Sequence, residues 1–461
     1  FEGLNSDVRT VLDRVLGNFK SVDHFVTVKN RSPLFVASVA AAGLGMVMYD
    51  NTSITVALPS IRESFGTDTG SLQWLLNALS LMTATMLPFS GALGDRLGPK
   101  RCFQAGLLIF ATFALIGSFS TSIGMLITCR ALQGFGGALL LPNAGALLSA
   151  NVAEEFRTKT VGLWISISSI GLVVGPIGGG ILIQNFGWHA ALFGQTPIAL
   201  FGAWRIRYLN DGPRRDTSLD VKGILTASLS TLALCAGLIQ LGRNHANYPI
   251  ASGLVVAGVA LLILFYRIEH KVKHPLIHPT WLTDVRTRGV LLASMIYNGT
   301  IAAATFIISI LTQTSRALSP LMGGVIIWLS CLFMPLGSRI AGSKATLTHL
   351  RKVMLGGSVG LVAGYLIISS VSQAALPILL VSVTISGLCA GLLFSGDTIA
   401  ILRVIEPDKA SSGLAALSLV RQIGAVFGIA LFGSASEWIA RADLVTECLI
   451  KISSFSKCTH R

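Results

Sequence analysis

The sequence predicts an all-α polytopic membrane protein of about 13 spans, and three observations predict it. Of 461 residues, 52% are hydrophobic and only 12% charged, with a mean hydropathy of +0.70. Soluble domains carry about 25% charged residues, so this chain holds too little charge to cover a water-facing surface of its size. Thirteen apolar stretches approach the roughly 20 residues that a bilayer core requires of a helix. Lys and Arg gather in alternate connections between those stretches, as membrane orientation demands. Disordered and fibrous classes are excluded by the same composition.

Along the chain, residues 1–32 are polar, with Val8, Val11, Leu12, Val15, Leu16, Phe19 and Val22 at helical spacing. That pattern predicts a short amphipathic helix lying on a membrane face rather than a cleaved signal peptide. The spans follow at approximately 34–57, 71–93, 102–119, 123–148, 160–183, 189–206 and 220–241. They continue at 250–267, 289–311, 320–341, 353–372, 375–402 and 411–440. Pro and Gly inside several of them are compatible with spanning, because neighbouring helices satisfy the freed backbone groups.

With the N-terminus in the cytoplasm, the N-terminal segment and the inner loops hold 26 Lys and Arg, and the outer loops hold 3, namely Arg62, Arg243 and Arg316. The formal charge of +14 is therefore topology, and its expected partner is the anionic inner leaflet rather than nucleic acid. Thirteen spans leave residues 441–461 outside with Arg441, Lys451, Lys457 and Arg461. That tail predicts either a chain that ends before a fourteenth span or a last segment that does not cross. In the thirteen-span topology Cys448 and Cys458 are open to an impermeant thiol reagent from outside. Five of the seven cysteines (Cys102, Cys129, Cys235, Cys331 and Cys389) fall in or beside apolar runs and read as reduced, buried small hydrophobes. No Cys/His cluster has metal-ligand spacing, so no metal is expected.

Charged residues at membrane depth are expensive, and they are the first functional candidates. Asp50 lies about 12 Å from the outer end of span 1 and Arg130 about 10 Å into span 4, counting 1.5 Å per residue. The depths agree, so the two can pair. A carboxylate that alternates between pairing with Arg and carrying a proton is the minimal proton-coupling device, since a nearby cation favours the charged form and desolvation the neutral one. The competing reading is a static pair locking two helices. Asp397 and Arg421 differ in depth by roughly 6 Å, within reach of an Arg side chain. They read equally as a structural pair or as a substrate or proton site. Span 5 places Gly171, Gly175 and Gly179 on one face beside Pro176, which predicts close helix approach and a bend. The loop after span 2 runs from Gly91 through Gly94, Asp95, Arg96, Gly98 and Lys100 to Arg101. It is a tight inner turn with an acid followed by bases. Asn51 and Asn298 match the glycosylation pattern but fall inside spans. No phosphate-binding loop is present, and no Ser/His/Asp constellation supports an enzyme.

Gly91 to Arg101 resembles the signature loop of the major facilitator superfamily, and the resemblance extends over nearly the whole chain. Asp50 to Pro59 is similar to the first-helix motif of its fourteen-span drug:proton antiporters, and Arg130 to Gly134 to their fourth-helix proton-transfer motif. Gly171 to Gly180 resembles the antiporter motif of helix five. Leu219 to Gly223 and the stretch from Glu269 to Ile277 resemble the two extra central helices, and Gly413 to Gly433 the penultimate helix. Pro99, Trp188-His189-Ala190 and the acid-free stretch Leu336 to Lys344 depart from the family pattern.

The resemblance implies a major facilitator fold: two six-helix bundles plus two extra central helices, with the last span missing. The expected divisions are 1–32, an N-terminal bundle at 33–208, extra helices at 209–270, a five-span C-terminal bundle at 271–440, and a tail at 441–461. The expected function is proton-coupled export of small amphipathic or cationic compounds by alternating access, without a cofactor other than the proton gradient, in a monomer at the plasma membrane. Asp50 and Arg130 would couple protons, the Gly91–Arg101 loop would form the inner gate with Asp95 as its latch, and Gly175 and Pro176 the hinge. Asn51, Gln73, Trp74, Gln133, Asn298, Asp397 and Arg421 are cavity candidates. The alternatives are a transporter of one metabolite, in either direction, and a truncated protein that does not transport.

Overall fold

The computed structural model describes residues 32–212, 221–242, 247–272, 281, 283–310, 312–313, 318–343, 347–370, 376–405, 413 and 416–432. The amphipathic segment before Ser32, the tail after Phe432 with Cys448 and Cys458, Leu219-Asp220 and Pro275 to Ile277 lie outside the described residues. The helices are α1 (Pro33–Phe65), α2 (Thr69–Leu97), α3 (Pro99–Ser118), α4 (Ile123–Asn151) and α5 (Glu154–Phe186). Two short helices follow, α6 (His189–Phe193) and α7 (Thr196–Arg205), then α8 (Val221–Gly242) and α9 (Tyr248–Glu269). The rest are α10 (Val285–Ile310), α11 (Pro320–Ser343), α12 (Leu347–Ser370), α13 (Leu376–Val404) and α14 (Ala416–Phe432). Each expected span meets a helix, except that 189–206 meets the broken pair α6–α7. Among the described residues, 8 helices are long and apolar enough to cross a membrane, or 9 when the two parts of α2 are taken as one span.

The boundaries have local causes. Asp68 caps α2 by accepting from the Ser71 N–H at 3.1 Å, and Ser122 caps α4 by accepting from Met125 N–H at 3.2 Å. Gly98, at φ +99, makes the corner between α2 and α3, and Pro99 begins α3, where a missing N–H costs nothing. Pro197 has no N–H to offer the carbonyl of Phe193, and the sixth span breaks there into α6 and α7. The helix α5 runs unbroken through Pro176, whereas α2 turns by 56° between Thr69–Leu87 and Phe89–Leu97.

The helices α1 and α5 share the most extensive contact, and small residues explain how closely they approach. A Cβ built on Gly171 would fall on the carbonyl of Gly45, one on Gly175 on the Thr52 hydroxyl, and one on Gly179 on Ser53. The same device recurs in the second half, where Gly424 and Gly428 of α14 meet the backbone of Met295 and Gly299 of α10. Gly387 and Gly391 of α13 likewise meet the backbone of Ser330 and Met334 of α11. Without water to drive helices together, such backbone approach supplies the van der Waals contact that lipid-exposed surfaces lack.

The two halves meet at the end of the bundle that carries the α1–α2 turn. There Ser309 donates to the carbonyl of Thr55 at 2.5 Å and Gln313 to that of Val56 at 2.9 Å. Gly180 lies against Leu321, and Gly324 against Pro176. An apolar cluster joins Ile54, Leu58, Leu75, Ile183 and Leu192 to Phe306, Ile326, Leu379 and Ile429 across this seam. Exposed apolar side chains run the length of α5, from Phe156 to Phe186, and of α11, from Met322 to Ile340, as a lipid-facing surface requires. The helix α8 sits beside α2 and α14, where Leu81, Cys235, Ile239, Val426 and Ala430 form a cluster with Trp74.

A buried ion pair as candidate functional site

Asp50 is carried into the interior by a buried stretch of α1 in which Gly45, Tyr49, Thr52 and Ser53 lie against the glycine face of α5. Arg130 arrives from α4, about two turns beyond the Ser122 cap. Both side chains are 0% exposed, and Arg130 Nη1 donates to Asp50 Oδ2 at 2.5 Å. The pairing inferred from matched depths is therefore present. Nη1 also donates to Gln133 Oε1 at 3.2 Å, which brings a third candidate into the cluster.

The guanidinium is only half served. Its Nε and Nη2 are buried and make no hydrogen bond among the described residues, and neither does Gln133 Nε2. Buried donors without acceptors cost about 1–3 kcal/mol each, more for charged ones, so Arg130 is held in place by one carboxylate and one amide alone.

Gln195 belongs to this cluster and was not among the residues singled out by sequence. Its Nε2 donates to Asp50 Oδ1 at 2.6 Å and to the carbonyl of Ala191 at 3.3 Å. It stands in the break between α6 and α7 and is 1% exposed. Counting about 1.5 Å per residue from the start of the expected span at 189 gives it nearly the depth of Asp50. The same arithmetic extended from charged residues to buried amides would have found it.

Asp397 and Arg421 also pair, between α13 and α14. Here the environment differs. Ser294 of α10 donates to Asp397 Oδ2, and Arg421 Nη2 donates to Asp397 Oδ1, to the Phe394 carbonyl at 2.9 Å and to Thr398 Oγ1 at 2.6 Å. Arg421 Nε reaches Asp397 Oδ2 at 3.3 Å, and the guanidinium lies 4.0 Å from the Phe394 ring centroid. This arginine has a seat that survives loss of the carboxylate charge, which is the construction of a clamp across α10, α13 and α14.

The remaining candidates divide. Gln73 is buried with its Oε1 unpartnered, Trp74 packs toward α8, Asn298 donates to the Ser294 carbonyl, and Asn51 is exposed. In the Gly91–Arg101 loop, Gly94 abuts Asn143 and Gly98 abuts Asp211 so closely that a Cβ would not fit at either. Lys100 Nζ donates to the carbonyls of Arg207 and Leu209 at 2.9 and 2.6 Å, closing the chain end after α7. Gly91 has only Pro142 nearby, Arg96 and Arg101 are exposed, and Asp95 makes no ion pair among the described residues. The described loop contacts thus stay within its own half. No group of His, Cys, Asp and Glu among the described residues is arranged to hold a metal ion.

The family model of the Major Facilitator Superfamily matches residues 40–429. A methylenomycin A resistance protein of Streptomyces coelicolor is 29% identical over 414 residues, covering 86% of this chain and 85% of that protein. The drug efflux pump JefA of Mycobacterium tuberculosis is 29% identical over 423 residues, covering 88% and 81%. Among solved structures, an inward-facing, unoccupied bacterial homolog of the human lysosomal transporter Spinster superposes with a TM-score of 0.63 at 14% identity, covering 92% of this chain and 86% of that one.

Proposed function

The chain belongs to the Major Facilitator Superfamily, and we propose that it is a proton-coupled exporter of small amphipathic or cationic compounds at the plasma membrane. Its multi-pass helical fold and its drug-resistance and drug-efflux relatives support export. The observation that carries the coupling is the fully buried Asp50–Arg130 pair between α1 and α4. A charge pair taken out of water repays its desolvation poorly, and this one leaves two guanidinium nitrogens unserved. Neutralising Asp50 with a proton therefore leaves Arg130 without its carboxylate in the interior, which drives it toward another acceptor or water and links proton binding to helix movement.

The distribution of Lys and Arg favours placing the α2–α3 corner in the cytoplasm and the α1–α2 turn outside. In that orientation the seam through Ser309–Thr55 and Gln313–Val56 ties the two halves together on the outer side. Alternating access then consists of rocking the halves about the glycine seams, taking up substrate inside and exchanging it for a proton outside. The test is gradient-driven ethidium efflux from proteoliposomes of the purified chain. Efflux that follows an imposed pH gradient and stops with a protonophore supports the proposal. Transport indifferent to the gradient contradicts it.

A further inference from the structure

The two oxygens of Asp50 are served by different elements, and this asymmetry has a chemical consequence that deepens the reading above and rests on it. Oδ2 accepts from Arg130 Nη1 on α4, whereas Oδ1 accepts from Gln195 Nε2 in the α6–α7 break. No other donor reaches either oxygen among the described residues. The orientation of the Gln195 amide is not free. Its second N–H is taken by the Ala191 carbonyl at 3.3 Å, and turning the amide over would set two carbonyl oxygens against each other and strand the NH2 group where Oε1 now has no partner. That exchange gives up a hydrogen bond and creates an unsatisfied buried donor.

From this geometry we infer that Gln195 is a positioning residue that directs the coupling proton to Oδ2 of Asp50. With Gln195 presenting N–H to Oδ1, a proton there would face a donor. A proton at Oδ2 also faces a donor, Arg130 Nη1, but that bond is the one the arginine can leave, since a single nitrogen carries it. The step balances simply: a proton from water bonds to Oδ2, the Nη1–H···Oδ2 contact breaks, and Oδ1 remains a carbonyl held by Gln195. Proton entry and release of α4 from α1 become one event, while α1 stays tied to the broken sixth span. Without Gln195, Oδ1 could be protonated with Arg130 still seated on Oδ2, and proton binding would no longer require the helices to part.

The experiment is pH-difference infrared spectroscopy of the reconstituted full chain, read in the carboxylic C=O region. The Asp50 band is the one that Asp50→Asn removes. In the wild type its carbonyl is Oδ1, hydrogen-bonded to Gln195, so Gln195→Met should move the band: upward where the proton stays on Oδ2 and Oδ1 becomes a free carbonyl, downward where it goes to Oδ1 and the carbonyl is Oδ2 on Arg130. Gln195→Asn, which keeps a polar group in the buried site but withdraws it by one methylene, should do the same if the Met variant fails to assemble. Both variants should also pass protons without substrate faster than the wild type. An Asp50 band unmoved in both variants would place the proton on Oδ1 and overturn the inference while leaving Asp50 as the proton carrier. The absence of any band sensitive to Asp50→Asn would instead overturn both readings.

Discussion

Gly171→Ala tests whether the backbone approach of α1 and α5 is as tight as the structure shows. In a helix interior Ala is favoured over Gly by about 1 kcal/mol, so the substitution stabilises wherever the new methyl finds room. At Gly162 nothing lies within 4 Å of the added Cβ, and at Gly178 the nearest atoms, Val174 Cγ1 at 3.5 Å and Tyr49 Cε2 at 3.7 Å, are ordinary contacts. Both Ala variants should therefore gain up to about 1 kcal/mol. At Gly171 the Cβ falls on the Gly45 carbonyl, with the carbonyl carbon at 2.8 Å. Main chain cannot rotate aside as a side chain can, so α1 and α5 must separate, at an overpacking cost of about 1–3 kcal/mol. Set against the propensity gain, the net effect at Gly171 runs from near zero to about 2 kcal/mol of destabilisation. Melting midpoints of the three purified variants in one detergent rank them: Gly162→Ala and Gly178→Ala at or above the wild type, Gly171→Ala below it. A Gly171→Ala midpoint as high as that of Gly162→Ala would refute the argument, because the seam would then have space for the methyl.

The remaining predictions follow from the same contacts. Gly175→Leu, which drives a branched side chain into Thr52 and the Tyr49 carbonyl, should abolish transport while the protein still inserts; an unchanged transport rate would make the glycine face incidental. Asp397→Asn or Arg421→Met alone should destabilise by about 3–5 kcal/mol, and the two together by much less, because a lone buried charge is the costly species. Melting of the double variant no higher than that of the single variants would contradict the clamp. Asp284 caps α10 by accepting from the N–H and hydroxyl of Thr287 at 2.9 and 2.7 Å, and the Thr287 hydroxyl bond does most to hold its carboxyl below the usual range. A depressed carboxylate stabilises above its unfolded value of about 3.9 and is lost only as pH falls below that, so Asp284→Asn should leave the pH profile of transport between roughly pH 5 and 8 unchanged. Cys102, Cys129, Cys235, Cys331 and Cys389 are all buried, and peptide mapping after brief maleimide treatment of the native protein should find them unmodified.

The fold was legible because lipid imposes two simple requirements, apolar length and one-sided positive charge, and both are written in composition. The Asp50–Arg130 and Asp397–Arg421 pairs were legible for the same reason: a charge at depth needs a partner at matching depth. What distinguishes the two pairs was not. Arg421 is seated by the Phe394 carbonyl, Asp397 and Thr398 of α13, while Ser294 of α10 donates to Asp397, and the sequence does not show which helix faces meet to bring these groups together. The prolines show a related limit: Pro176 lies within one continuous α5, whereas α2 turns by 56° across Pro88, and the sequence alone does not rank the two. The loop at Gly91–Arg101 was recognisable by pattern, yet the side chains that lie against Gly94 and Gly98, Asn143 and Asp211, come from distant parts of the chain.

The central claim is that Asp50 exchanges its arginine for a proton, and Asp50→Asn in proteoliposomes tests it most directly. Asn keeps the shape and can still accept from Gln195, but it cannot cycle a charge. Ethidium efflux against its own gradient, driven by an imposed pH difference, should vanish in the variant, while ethidium exchange across vesicles with no gradient should persist. Gradient-driven efflux undiminished in Asp50→Asn would contradict the account.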